Sequence, residues 1–335
     1  MNLAHPLALR RVLLTGTAGF IGSHLAERLL REGVEVVGVD SFDPYYPAEQ
    51  KRAHLQTAQS QPGFRLLQLD LRDRPALERA LAEHGPFDAV AHLAARAGVR
   101  ASLENPELYA DLNVGGTRSL LAALDARGHA TRVVFASSSS VYGAEDGIFE
   151  EDQPHGAPLS PYAATKQECE RVLERHHAAT GREISMLRLF TVYGPRQRPD
   201  MAIPRFAERL LRGEQVEIYG GGETVRDYTY VDDVVDGFFR ALGRPRGMRT
   251  FNIGGGSPVR LDSMLSQLAA ALDCPVHAKR VPPPPGDVPQ TWASIERART
   301  ELTWEPHVDF AEGVQRAAAW LLQLHATHGV MQKVG

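Results

Sequence analysis

The 335-residue chain predicts an α/β fold, a doubly wound parallel sheet with a smaller C-terminal α/β lobe, on three observations. Short apolar runs alternate with stretches of helical length along most of the chain, the pattern of parallel strands joined by crossover helices. The first run, residues 12–14, opens directly onto a glycine-spaced turn and then a helix. The fifth delivers four consecutive serines, residues 137–140, to the carboxyl end of a strand, where open parallel sheets hold ligands.

Residues 12–14 read as the first strand and 23–32 as the first helix. Between them Gly16, Gly19 and Gly22 have G-x-x-G-x-x-G spacing, with Phe20 and Ile21 at the helix start. Glycines let the backbone approach a pyrophosphate, and free N–H groups with the helix dipole attract its charge. Dinucleotide binding is expected. Residues 35–39 form a second strand ending in Asp40, placed to accept hydrogen bonds from an adenosine ribose. A carboxylate there repels a 2′-phosphate, so NAD is expected rather than NADP. Residues 41–47 read as a loop by their prolines, with the aspartate and tyrosines decorating the surface, and 48–59 as a polar helix.

A third strand spans residues 64–69 and a fourth 88–92, whose exit through Leu93, Ala94 and Ala95 is expected to pass close to the cofactor. His92 is read as packing, not as a base. Arg96 and Arg100 stay open: each either reaches substrate or diphosphate, or is a solvated loop charge. Residues 107–127 read as one long helix, 133–136 and 184–189 as the next strands. From residue 203 the alternation loosens, which predicts a lobe interleaved with the first. Its expected parts are a strand at 216–219, a helix to 242 capped by Asp232 and Asp233, a strand at 251–254 returning to the core, and helices at 261–272 and 310–324. The tail after residue 325 is expected to be loose.

Tyr162 and Lys166, four apart, share one helix face. An ammonium beneath a phenol stabilises its phenolate, bringing a group of ordinary pKa about 10 toward use as a base. Such a pair is common on surface helices. It gains meaning from the serines two dozen residues upstream and the glycine turn before them. Together these motifs resemble the extended branch of the short-chain dehydrogenase/reductase superfamily, the NAD-dependent nucleotide-sugar epimerases and dehydratases, over roughly residues 10–325.

The resemblance implies a Rossmann-like NAD-binding domain over residues 10–190 and a lobe over 191–325 that mainly binds the UDP-sugar, with 251–254 returning to the core. By its distance to Val141-Tyr142-Gly143, Ser138 aligns with the family's catalytic hydroxyl, beside Tyr162 and Lys166. Asp70 and Leu71 would flank the adenine, the bland alternative for Asp70 being a helix cap. Asn113 would hold backbone near the active site, and Tyr193 would belong to the cofactor site. Arg226 would neutralise the diphosphate and Asp287 face the uridine ribose. Pro284 stands where many sugar epimerases carry an arginine, so one diphosphate contact is missing or supplied elsewhere.

Related dehydratases and decarboxylases carry an acidic residue where this chain has Ser140, so epimerisation fits better. The runs 92–106 and 189–201 look like the branch acting on UDP-glucuronate. Ser139, Ser140 and Thr191 offer hydroxyls to a sugar carboxylate, and Arg198 a charge. The expected reaction is 4-epimerisation of UDP-glucuronate to UDP-galacturonate. UDP-glucose 4-epimerisation, UDP-glucuronate decarboxylation and an inactive NAD-binding sensor are the alternatives, the last opposed by the presence of both Tyr162 and Lys166. A homodimer is expected from the same resemblance. With a net charge of −4 and 43% apolar residues the chain gives no reason to expect nucleic acid or membrane partners. Two cysteines make neither a disulfide framework nor a zinc site, and a cytoplasmic setting is expected.

Overall fold

The computed structural model describes residues 9–128, 131–145, 147–244, 247–282 and 288–332. Its first strands are β1 (Arg11–Thr15), β2 (Glu35–Asp40), β3 (Phe64–Gln68), β4 (Ala89–His92), β5 (Arg132–Ser138) and β6 (Ile184–Leu189). There follow β7 (Thr191–Tyr193), β8 (Val216–Tyr219), β9 (Val225–Arg226), β10 (Tyr228–Tyr230), β11 (Met248–Ile253), β12 (Val259–Arg260) and β13 (Ala278–Val281). Seven of them make one sheet in the order β11-β6-β5-β4-β1-β2-β3, with every neighbouring pair parallel. The order reverses between β1 and β4. That opens a crevice at their carboxyl ends, where ligands of doubly wound sheets bind.

Both faces of the sheet are covered, as strand periodicity requires. Val12 and Leu14 of β1, with Val134 and Ala136 of β5, point into a core shared with Leu25 and Leu29 of the helix Phe20–Arg31 and with Val234 and Phe238 of the helix Val231–Gly243. Leu13, Val133 and Phe135 point the other way, onto Leu77 and Leu81 of the helix Arg74–His84 and Leu173 of the helix Pro161–Thr180. The helix Val231–Gly243, late in sequence, thus supports the first sheet against Phe20–Arg31, where Arg28 meets Asp236 at 3.4 Å. β7 pairs with β10 and β8 with β13 in parallel, and β9 with β12 antiparallel, outside the main sheet.

Several local expectations change. The helix expected at residues 107–127 passes through a wider, π-helical segment, Ala110–Gly115, between Pro106–Tyr109 and Gly116–Ala126. Asn113 sits in that segment. The polar helix after β2 is broken at Leu55 into Ala48–His54 and Gln56–Gln59. Asp70 caps no helix; Asp73 does, accepting the Ala76 N–H at 3.1 Å. Asp232 and Asp233 do not cap either: Asp233 turns away to accept the N–H groups of His307 (3.0 Å) and Val308 (3.1 Å). The final helix does not stop at residue 324 but runs Phe310–Gln332.

The turn after β1 is set by contact. Gly16 has φ +73°, and a Cβ on it would lie 2.7 Å from the Ala94 nitrogen. A Cβ on Gly22 would collide with the Gly16 carbonyl oxygen. Gly22→Ala should therefore force the turn apart and cost about 1–3 kcal/mol, as overpacking does. A urea titration should show a lower midpoint with an unchanged slope, whereas an unchanged midpoint would mean that the turn can yield.

Candidate active site

A cavity of about 710 Å³ occupies the crevice. At one end lie Gly16, Gly19, Phe20, Ile21 and Gly22. The helix beginning at Phe20 has no side-chain cap on its N-terminus, so its first N–H groups are left to a ligand in the cavity. Asp40 lines the same end with its carboxylate already aimed: Oδ2 accepts the Ala18 N–H at 2.9 Å and Oδ1 the Phe42 N–H at 2.8 Å. Burial nonetheless raises its pKa from the usual carboxylate range. Asp70 lines the wall too, held by Arg72 at 2.6 Å, and so do Leu71, Leu93, Ala94 and Ala95.

Two cavity-lining residues carry buried polar atoms, Tyr46 Oη and Arg96 Nε, with no hydrogen-bond partner among the described residues. Unpaired buried groups are costly unless a ligand satisfies them. The uncapped helix, the oriented carboxylate and these orphans all fit a dinucleotide.

At the middle of the cavity Ser138, Tyr162 and Lys166 come together from β5 and the helix Pro161–Thr180. That helix is started by Ser160, whose Oγ accepts the Ala163 N–H at 3.1 Å. Lys166 is buried, and Nζ donates to the Ala136 carbonyl at 2.7 Å, tying the helix to the strand that ends in Ser138. It stands 5.9 Å from the centre of the Tyr162 ring. Ser138 Oγ accepts from both the N–H (3.2 Å) and the hydroxyl (2.9 Å) of Ser140. Its own proton is then free for a ligand.

Behind this wall is a buried charge cluster that the sequence did not announce. Glu170, one turn past Lys166, accepts from Ser137 Oγ (2.5 Å), His155 Nε2 (2.7 Å) and Arg188 Nη2 (2.8 Å). Burial alone would raise its pKa; the bonds from His155 and Arg188 outweigh it and bring the carboxyl down to about 2. His92 is equally buried, between Thr15 Oγ1 (2.8 Å) and Thr117 Oγ1 (3.0 Å), and burial pushes its pKa down to about 3. It stays neutral and lies outside the cavity lining.

At the far end Ser139, Ser140, Thr191, Arg198 and Arg226 line the cavity. Thr191 is fixed by β7, its N–H donating to the Asp227 carbonyl at 2.9 Å. Ser140 is less free than expected, since its hydroxyl serves Ser138. Arg226 also donates to the Val225 carbonyl at 2.8 Å. Arg100 lines the cavity with its guanidinium over the Tyr219 ring at 4.8 Å.

Tyr193 and Asn113 are not part of the cavity lining. Tyr193 is packed among Tyr228, Tyr230 and Phe310, with its hydroxyl 3.4 Å from the Phe310 carbonyl, and does not face the cavity. Asn113 is also behind the lining: Oδ1 accepts the Arg96 N–H (2.8 Å), while Nδ2 donates to the Arg96 carbonyl and Thr165 Oγ1 (both 3.0 Å). It holds backbone at the cavity wall, the task expected of it. Asp287 and Pro284 lie outside the described residues. Conversely, the loop read as surface decoration lines the cavity with Asp43, Tyr45 and Tyr46. Asp43 pairs with Arg96 at 3.1 Å, so Arg96 is a paired charge of the cavity wall and not a solvated one. Among the described residues no cluster of metal-ligating side chains occurs, and no helix is long and apolar enough to cross a membrane.

Residues 12–254 match the model of the NAD dependent epimerase/dehydratase family. A UDP-glucuronate 4-epimerase of Thermodesulfobacterium geofontis is 40% identical over 92% of this chain and 95% of its own length. The crystal structure of UDP-glucuronic acid 4-epimerase from Bacillus cereus, in complex with UDP-glucuronic acid and NAD, superposes with a TM-score of 0.88 at 35% identity. That match covers 94% of this chain and 99% of the other. A UDP-glucose 4-epimerase from Thermotoga maritima, with UDP-glucose, gives a TM-score of 0.85 at 32% identity over 94% and 99%.

The Glu170 cluster makes a pH-dependent prediction. A carboxyl held at about 2, below its ordinary 4.5, contributes stability that is present above 4.5 and lost as the pH falls toward 2. Glu170→Gln leaves Arg188 buried without its counter-charge and should cost about 3 kcal/mol at neutral pH. Thermal melts of the two proteins should converge as the pH is lowered from 4.5 toward 2. A gap that stays constant over that range would refute the assignment.

Proposed function

The chain belongs to the NAD-dependent epimerase/dehydratase family, and we propose that it interconverts UDP-glucuronate and UDP-galacturonate by 4-epimerisation, with NAD as its resident cofactor. The observation that carries this reading is the joining of Ser138, Tyr162 and Lys166 with Thr191 and Arg198 in one cavity that also holds the glycine turn and Asp40. Gly16, Gly19, Phe20, Ile21, Gly22, Asp40, Asp70, Leu71, Leu93, Ala94 and Ala95 would hold the cofactor. Bound there, NAD would supply the acceptance of a hydride from sugar C4 and its return to the opposite face.

The protein's own residues manage the protons and the geometry. Tyr162 accepts the proton of the 4-hydroxyl. Lys166 donates one of its three protons to the Ala136 carbonyl, which fixes its ammonium 5.9 Å from the centre of the Tyr162 ring. Ser138, its oxygen already served by Ser140, donates its own proton toward the reacting oxygen. Oxidation gives a 4-keto sugar, which turns within the pocket and takes its proton back from Tyr162.

A 4-keto uronate is a β-keto acid. It loses carbon dioxide when the C5–C6 bond aligns with the carbonyl π system, so the pocket must hold the carboxylate out of that alignment. Thr191, Ser139 and Arg198 do this, with Ser140 acting mainly through Ser138. Arg226 neutralises the diphosphate, and Asp287 meets the uridine ribose. Residues 191–325 supply most of this sugar-binding half.

The protein works as a cytoplasmic homodimer in this reading. Both cysteines are free, and the helices Gly116–Ala126 and Pro161–Thr180 lie side by side on one face, available to pair with their copies. Sedimentation should give twice the chain mass of 36.8 kDa.

Purified protein given UDP-glucuronate and no added NAD should form UDP-galacturonate without releasing carbon dioxide, read by proton NMR. Turnover of UDP-glucose alone would replace this reading with glucose/galactose epimerisation. Tyr162→Phe should lower kcat by about 10²–10⁴, the share a positioned proton-transfer group contributes, with affinity for UDP retained. Undiminished turnover would remove Tyr162 from the mechanism.

A further inference from the structure

Arg198 does not project alone into the cavity. Asp200 takes one edge of its guanidinium, Nε donating to Oδ1 at 2.9 Å and Nη2 to Oδ2 at 3.0 Å, and Nη2 also reaches Met201 Sδ at 3.5 Å. Nη1 makes no hydrogen bond among the described residues. Asp200 is held from across the cavity mouth, where Tyr45 Oη donates to Oδ2 at 3.1 Å from a position 155 residues earlier.

Tyr45 is itself seated. Its N–H donates to Asp43 at 3.0 Å, and its ring lies under the Arg96 guanidinium at 4.9 Å and the Arg198 guanidinium at 5.6 Å. Gly98, at φ +115°, leaves the space its hydroxyl fills; a Cβ there would collide with Tyr45 Oη. The frame reaches the reacting centre, because Tyr109, beneath Arg96, meets the Tyr162 ring edge-on at 6.4 Å.

We propose that Asp200, braced by Tyr45, is a positioning residue that presents a single edge of Arg198 to a sugar carboxylate, and thereby sets the preference for an anionic over a neutral UDP-hexose. This rests on the reading of the substrate given above. A guanidinium free to turn would meet a carboxylate with whichever pair of N–H groups came first. With Nε and Nη2 committed to Asp200, only Nη1 is offered, and the carboxylate is held in one orientation. The opposite arrangement is equally definite in its consequences: if Asp200 merely competed with the sugar for Arg198, removing its charge would strengthen uronate binding.

Calorimetry on the NAD-loaded protein separates these, using UDP-glucuronate, UDP-glucose and UDP. Asp200→Asn should lower the preference for UDP-glucuronate over UDP-glucose by about tenfold, and Tyr45→Phe by about threefold, with affinity for UDP within about twofold of wild type in both. In an Arg198→Gln background Asp200→Asn should have no further effect, since a residue acting through another is not additive with it.

A preference unmoved in both variants, a preference that rises, or an Asp200→Asn effect that survives in the Arg198→Gln background would each overturn the proposal. If Asp200→Asn loses UDP binding altogether, Tyr45→Phe decides. A wild-type protein with no preference for UDP-glucuronate overturns the substrate reading and this inference together, whereas a wild-type preference that neither variant moves overturns only the inference.

Discussion

Two backbones lie closer here than a side chain would allow, and the rest of the site hangs on that approach. Where the sheet order reverses, the turn after β1 presses on the strand end after β4, and only glycine at position 16 permits it. The contact is locked by Thr15, whose Oγ1 accepts the Ala94 N–H at 3.2 Å and meets His92 at 2.8 Å. His92 then reaches Thr117 on the next helix. A histidine kept neutral by burial is suited to this task, because one ring nitrogen donates while the other accepts. From the same helix Asn113 grips both backbone groups of Arg96, which ties the cavity wall to that helix.

What the sequence made legible follows from locality. β1, its glycine turn and the helix Phe20–Arg31 are contiguous, and the one-in-two alternation of Val12, Leu13 and Leu14 states that both sheet faces are covered. Tyr162 and Lys166 are a turn apart, and the serines end a strand. What stayed hidden was set by partners far away in the chain. Nothing around Tyr45 announces Asp200, and prolines beside an aromatic pair read as surface until the fold brings residues 45 and 200 together. Tyr193 misled for the opposite reason: its motif is shared with the family, but its ring is consumed by Tyr228, Tyr230 and Phe310. Asp232 and Asp233 looked like caps because helix starts favour such residues, yet distant N–H groups claimed Asp233.

Charge is handled in two ways on the two sides of β5. Behind the strand, Glu170 and Arg188 are buried and paired, with His155 and Ser137 taking the remaining lone pairs of the carboxylate. Such a cluster resists change, because removing one member strands the others. It fixes Ser137, the neighbour of Ser138, without touching the cavity chemistry. In front, Arg198 and Asp200 are also paired, but at the cavity surface and with one edge of the guanidinium uncommitted. The first arrangement holds geometry; the second holds a charge in readiness.

That difference bears on the hardest demand the proposed reaction makes. A keto sugar must turn over inside the pocket, so its grip cannot be tight, yet its carboxylate must never reach the alignment in which carbon dioxide leaves. A full, unshared positive charge would bind the carboxylate strongly in both ring orientations and slow the turn. A neutral pocket would leave the C5–C6 bond free to rotate. An arginine partly spent on Asp200, with its remaining edge fixed by a frame that runs back through Tyr45, Arg96 and Tyr109 to Tyr162, lies between these limits. In the proposed reaction the position of that edge, more than the charge behind it, would decide which bond of the intermediate is protected.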